Sequence, residues 1–294
     1  MAAESPSLHE LAAHCVGSAT VAQKLASTAD TAARFYAGEA VADESPMIAA
    51  GIPTTPGRPE LPRLVAPREL PRRGLASSEG RAALVHAVAH IEFNAINLAW
   101  DAVARFRGLP DDYYRDWVGV AVDEARHFGW LAARLTELGH AYGDFDAHDG
   151  LWEMAVKTAD SCLARMALVP RVLEARGLDV TPGMIARLRA VGDNATVTIL
   201  EDILREEVAH VAAGSRWFAW CCEREGVDAQ ATFENLIARH FRGALRGPFN
   251  TEARLRAGFT AAELENLNSA AKDGGFSDPG DHGRSPGSSN ELAA

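Results

Sequence analysis

Apolar side chains recur at helical intervals through most of this chain, and the interruptions divide it into elements. From about Glu79, residues Val85, Val88, Ala89, Ala95, Ile96, Ala99 and Val103 follow the i, i+3, i+4, i+7 spacing of one helix face, with Glu92 in the middle of the stripe. Gly108-Leu109-Pro110 ends that helix, and Asp111 or Asp112 supplies a cap for a second one running from about Asp112 to Leu138. Its stripe is Trp117, Val120, Ala121, Glu124, His127, Phe128, Leu131 and Leu135. A third helix is expected from about Leu151 to Arg176, with a kink before Pro170 and with Glu174 one residue off its stripe. Thr181-Pro182 reads as the start of a short helix ending near Ala190. After Gly192-Asp193 a fourth long helix spans about Ala195 to Arg224, carrying Leu200, Ile203, Leu204, Glu207, His210, Val211, Gly214 and Phe218 on one face.

The flanks differ in texture. Residues 1–45 predict one or two modest helices, and residues 46–78 hold a proline-rich linker or arm in which Pro46, Pro53, Pro56, Pro59, Pro62, Pro67 and Pro71 forbid regular helix. An extended strap over the helices is the expected form. Residues 79–225 form the four-helix core, and the loop from Gly139 to Gly150 is long enough to run back along it. Residues 226–267 add a helical extension, with one helix at Ala229 to Phe241, a turn at Gly247-Pro248 and a short helix from Thr260. Residues 268–294 turn to Gly, Ser, Asp and Pro, the composition of a disordered tail. The fold class is therefore all-α.

Three of the four stripes carry ionisable residues where apolar ones belong. Asp123-Glu124-Ala125-Arg126-His127 and Glu206-Glu207-Val208-Ala209-His210 each place an acid before a Glu-x-x-His, and a Glu and a His three residues apart share one face of a helix. A buried, unpartnered carboxylate is costly, so Glu92, Glu124 and Glu207 are poorly explained as ordinary core residues. The spacing from Glu92 to Glu124 is 32 residues and that from Glu174 to Glu207 is 33, so the chain twice presents a lone Glu followed by Glu-x-x-His. One Glu from each of two helices and a Glu-x-x-His from each of two others is the known ligand pattern of dinuclear carboxylate bundles. The expected ligands are Glu92, Glu124, His127, Glu174, Glu207 and His210. Glu174 has a competing role as an ion-pair partner of Arg171 or Arg176, and Glu153 is the fallback. Because ligating imidazoles pass their other N–H to an acceptor, Asp123 is assigned to His210 and Glu206 to His127. His86 and His90 line up with Asn94, Asn97 and Asp101 away from Glu92 and read as structural hydrogen-bonding groups, and Tyr113, Tyr114, Trp117 and Trp130 as core aromatics.

Composition narrows the partners. The 294 residues carry a net charge of -11, which offers no global basic field for DNA. The four cysteines are not spaced as a zinc knuckle or a redox pair, so a reducing, cytoplasmic setting is expected. Neither a secretory leader nor an apolar run of membrane-spanning length is read from the sequence.

These ligands in this order resemble the ferritin-like superfamily, and more narrowly a bacterial ferritin-like family labelled as a domain of unknown function. The resemblance rests on His90-Ile91-Glu92-Phe93-Asn94-Ala95-Ile96, on Asp123 to Phe128, on His148-Asp149-Gly150-Leu151-Trp152-Glu153-Met154, on Met166 to Gly177, on the Glu207 motif and on Leu245-Arg246-Gly247-Pro248-Phe249-Asn250. It covers roughly residues 80 to 265 and, loosely, the N-terminal arm. It implies a ferritin-like four-helix bundle with two iron ions or a manganese–iron pair, and it supports Glu174 as the sixth ligand. The layout is also similar to the tRNA-hydroxylase branch. The expected activity is an O2-activating oxidoreductase or hydroxylase acting on a small organic or nucleoside substrate with an electron donor, and a homodimer is compatible with the sequence. Arg126 and Arg171, with Arg165 and Arg176, are expected to contact an anionic substrate. The alternatives are a ferroxidase or peroxide-removing iron-handling protein, and a binding protein that uses metal for stability alone.

Overall fold

The computed structural model describes residues 7–42, 52–241 and 245–273. It is all-helical. Extended pairing among these residues is confined to two isolated bridges, Ser7 with Val41 and Leu64 with Ala147. The chain forms two compact units that divide near Ala159, with the short segment Ala66–Glu69 belonging to the second.

The first unit is built on a central helix. In order it contains α1 (Leu8–Gly17), α2 (Val21–Tyr36), α3 (Ser78–Arg105), α4 (Asp111–Glu137) and α5 (Gly150–Lys157). Ser77 caps α3 by accepting the Gly80 N–H at 3.0 Å. α3 packs against α1, α4 and α5, which covers it nearly all round. Its sequence is apolar and long enough to cross a membrane by length and composition, an outcome the sequence reading did not anticipate. However, 78% of the qualifying window is buried inside the protein, as expected of a core helix.

With so much of its surface covered, α3 also buries polar groups, and His86 and His90 have partners among the described residues. The His86 Nε2 accepts the Gly143 N–H at 2.9 Å, and His90 meets the Tyr142 hydroxyl at 2.9 Å and the His148 carbonyl at 3.1 Å. Burial pushes the His90 imidazole down to about 4, so the ring is neutral, with one nitrogen donating and the other accepting. The fully buried Lys24 of α2 donates to the carbonyls of Cys15 and Val16 at the end of α1, and to Asn97 Oδ1 at 2.6 Å. The last carbonyls of α1 carry the negative end of its dipole and suit an ammonium, while burial pulls the Lys24 pKa down to about 7.

From residue 52 to 65 the proline-rich segment is an extended strap over this unit. Pro56 and Pro62 are buried. The strap is tied down by Gly57 N–H to Val16 O (2.8 Å), by Trp152 Nε1 to Thr54 O (3.0 Å), by the Arg58–Asp149 ion pair (3.0 Å) and by main-chain bonds of residues 63 and 65 with Ala147. The loop between α4 and α5 is therefore paired along the strap. Pro46 and the start of the arm lie outside the described residues.

The second unit contains α6 (Cys162–Leu168), a π-helical turn (Val169–Glu174), α7 (Ala175–Ala190), α8 (Asn194–Glu225), α9 (Ala229–Phe241), α10 (Thr251–Arg256) and α11 (Ala261–Asp273). Two expectations are corrected here. The third helix is not continuous: Thr158 bonds back through Oγ1 to Met154 O (2.8 Å), and Ser161 caps a new helix by accepting from Ala164 N (3.1 Å). Nor does Thr181-Pro182 begin a helix, since Pro182 lies inside α7. The carbonyl that Pro182 leaves without its usual donor is that of Leu178, and it accepts the Asn250 side-chain amide at 3.1 Å instead. In addition, α11 continues to Asp273, past the residue 267 expected, while the rest of the expected tail lies outside the described residues.

Gly214 in α8 allows a close approach within this unit. A Cβ at that position would stand 2.3 Å from both Cβ and Cγ of Pro170. The proline ring is rigid, so Gly214→Ala should force the π turn off α8 and cost at least about 1–3 kcal/mol in a urea titration, the range for overpacking a filled core. A cost below about 0.5 kcal/mol would show that the two segments separate freely.

Candidate metal centre

The first unit gathers three of the expected ligands. Glu92 comes from α3, and Glu124 and His127 come from successive turns of α4; they are 4%, 1% and 0% exposed. Their potential ligand atoms lie within 4.8 Å of one another. His127 Nδ1 stands 3.2 Å from Glu92 Oε2 and 3.4 Å from Glu124 Oε2. Burial alone would lower the imidazolium's pKa, but the two carboxylates outweigh it and hold His127 up at about 11. Without metal, the buried negative charge is thus partly balanced by a proton on His127. Carboxylate oxygens and imidazole nitrogens suit iron and manganese in their lower oxidation states, so the donor set fits the implied ions.

The second unit presents the matching pair. Glu207 and His210 lie one turn apart on α8, with Nδ1 to Oε1 at 3.3 Å, and His210 is 2% exposed. Glu174 is half-buried at the last position of the π turn, so the kink foreseen at Pro170 is a π-helical turn leading to this residue. Turns of this kind insert one extra residue per turn and are common at functional sites.

Asp123, Glu206, Glu153 and the arginines complete the expected set. Asp123 forms an ion pair with Arg126 at 2.8 Å, and the Arg126 guanidinium lies 5.3 Å from the Trp130 ring centre. Glu206 is half-buried beside Glu207. The fallback ligand Glu153 is exposed on α5. Arg165 is buried, and Arg176 donates to the Arg246 carbonyl at 3.0 Å. Arg171 is 2% exposed and bonds to Glu263 Oε1 at 2.7 Å, which makes it a core ion pair and not a group presented to substrate.

Two neighbours of these residues leave no signal in the sequence. Tyr142, in the loop after α4, packs against Phe93 and Phe128, the residues adjacent to Glu92 and His127, with ring centres at 5.4 and 5.0 Å. Arg254 forks onto Asp179 at 2.9 and 2.7 Å. A loop tyrosine and two charges 75 residues apart carry no local periodicity by which to find them.

Residues 17–265 match the family described as a protein of unknown function (DUF455). A protein of Haemophilus influenzae, described as uncharacterized, is 47% identical over 214 residues, covering 70% of this chain and 74% of the relative. No solved structure matches the chain. The family match spans the strap, α3 to α10 and both Glu-x-x-His motifs, and the chain therefore belongs to the DUF455 family.

Proposed function

We propose that this chain is a dinuclear metal carboxylate protein of ferritin-like design, holding two iron ions or a manganese–iron pair, and that it uses O2 to oxidise a small organic or nucleoside substrate. The observation that carries the reading is the burial of Glu92, Glu124 and His127 within ligand distance of one another. A soluble core does not gain stability by burying two carboxylates, since apolar residues of similar volume serve as well or better. The repeated lone Glu and Glu-x-x-His gives the second half: Glu174, Glu207 and His210 would join the first three around the ion pair, with Asp123 and Glu206 orienting the histidines. When bound, the metals supply reducing electrons and a binding position for O2. The protein's own part is to hold the carboxylates in low-dielectric surroundings, to keep His127 and His210 fixed and, at substrate, to exclude bulk water.

Iron handling uses the same ligands, so the test must separate the fates of the oxidising equivalents. Protein loaded with iron(II) is exposed to air with a panel of aliphatic, aromatic and modified-nucleoside substrates, and O2 uptake and products are followed together. Uptake that depends on reductant and yields an oxygenated or desaturated organic product supports the oxidase reading. Iron oxidation that continues beyond about two ions per chain, accumulates mineral and ignores every added organic molecule would contradict it in favour of a ferroxidase.

A further inference from the structure

The C-terminal extension grips the turn that carries Glu174. Arg171, three residues before Glu174, sends its guanidinium between the rings of Phe218, Phe233 and Phe259, with ring centres at 4.7, 4.3 and 4.5 Å. The guanidinium is hydrogen-bonded through Nη2 to Glu263 of α11, and Nε and Nη1 are buried without a hydrogen-bond partner among the described residues. Glu263 in turn is fixed by a reciprocal cap: its Oε2 accepts the Thr260 N–H at 2.8 Å, and its own N–H donates to Thr260 Oγ1 at 3.1 Å. A second arm acts just after Glu174. Arg254 of α10 forks onto Asp179, reaches the Ala175 carbonyl at 3.4 Å and stacks over Phe249 and the same Phe259 at 4.9 and 5.0 Å.

The backbone before Glu174 is therefore tied through Arg171 to Glu263 of α11, that after it through Asp179 and Ala175 to Arg254 of α10, and both guanidiniums lie against Phe259. A π turn is easily shifted by one register to ordinary α-helix, and such a shift would rotate Glu174 by roughly a quarter turn. Ordinary core packing does not call for an arginine here, since a leucine would fill the Phe218, Phe233 and Phe259 pocket without the cost of burying a charge. What the ion pair adds is direction: it fixes the turn's rotation relative to α11, which apolar contacts do loosely.

We propose that the Arg171–Glu263 pair and its aromatic cage are a positioning clamp, by which the C-terminal extension sets the rotation of Glu174 toward the metal centre. This inference rests on the dinuclear reading above. Arg171 and Glu263 are positioning residues and touch neither metal nor substrate.

Cobalt(II) titration of the full chain tests it, followed by visible absorption, which reports the coordination of the ion. The comparison sets the parent beside Glu263→Gln and Glu174→Gln, with circular dichroism and thermal melting to verify folding. The expected result is two cobalt ions in the parent, and in folded Glu263→Gln a second-ion affinity weakened about 10- to 100-fold, the usual effect of losing a group that orients a ligand. Its spectrum should change in the same direction as that of Glu174→Gln. Should Glu263→Gln fail to fold, Phe259→Leu keeps the ion pair while opening the cage and is expected to give the same spectral change in weaker form. A variant that melts lower but binds two cobalt ions with the parent's affinity and spectrum overturns the clamp while leaving the metal centre standing. A folded parent that binds no cobalt overturns the dinuclear reading itself.

Discussion

Metal-free His127→Ala protein should be less stable than the parent by about 3–5 kcal/mol at neutral pH, the cost of removing one partner from a buried charge pair. His127 is fully buried and is the group within 3.2–3.4 Å of both Glu92 and Glu124. With alanine in its place, the two carboxylates of α3 and α4 lose the cation between them while remaining 4% and 1% exposed. A leucine would fit the hole better and should fare no better, because the deficit is of charge and not of volume. Urea titrations in the presence of a chelator give the number directly. A loss under about 1 kcal/mol would mean that water or another cation already balances the two carboxylates, and that His127 is not the counter-charge.

The second large effect is expected far from the metal ligands. Trp100→Ala should cost about 3–5 kcal/mol, the range for removing a large aromatic side chain from a filled core. Trp100 has no exposure at all, and its indole N–H donates to Thr28 Oγ1 of α2 at 2.9 Å. It is the largest side chain that α3 buries, and it joins the central helix to the N-terminal pair. Trp100→Phe separates the two contributions. It retains most of the packing but leaves Thr28 without its donor, so the loss should fall to about 1–2 kcal/mol. Equal losses for the two variants would place the stabilisation in the hydrogen bond alone.

The sequence shows the long helices clearly because an apolar stripe is a local property of consecutive residues. Helix α4 runs from Asp111 to Glu137 against an expected Asp112 to Leu138, and α9 has the expected bounds. Residues that act through distant partners are less legible. The stripe from Trp152 to Leu173 passes through Thr158 and Ser161 without a gap in its apolar positions, yet their hydroxyls capture backbone groups and end one helix before the next begins. Pro182 reads as a helix start until Asn250, 68 residues later, is seen to take the carbonyl that the proline leaves free.

The same distinction applies to the candidate site. Glu124 with His127 and Glu207 with His210 are visible because i, i+3 spacing on a stripe is itself local, and the structure adds the burial and the convergence of Glu92 on His127. Arg171 reads from sequence as a group for substrate because an arginine near a ligand is informative only when its partner is known, and Glu263 lies 92 residues away. Lys24 gave no signal at all, since a buried lysine and a solvated one are spelled alike.

The most direct measurement is metal content per chain after expression with iron and manganese supplied, beside a Glu207→Ala/His210→Ala variant purified in the same way. A dinuclear carboxylate centre predicts about two ions in the parent and a large loss in the variant, with both proteins folded. A folded parent carrying no metal, or a variant that keeps the parent's full complement, would contradict the centre and the O2 chemistry proposed for it.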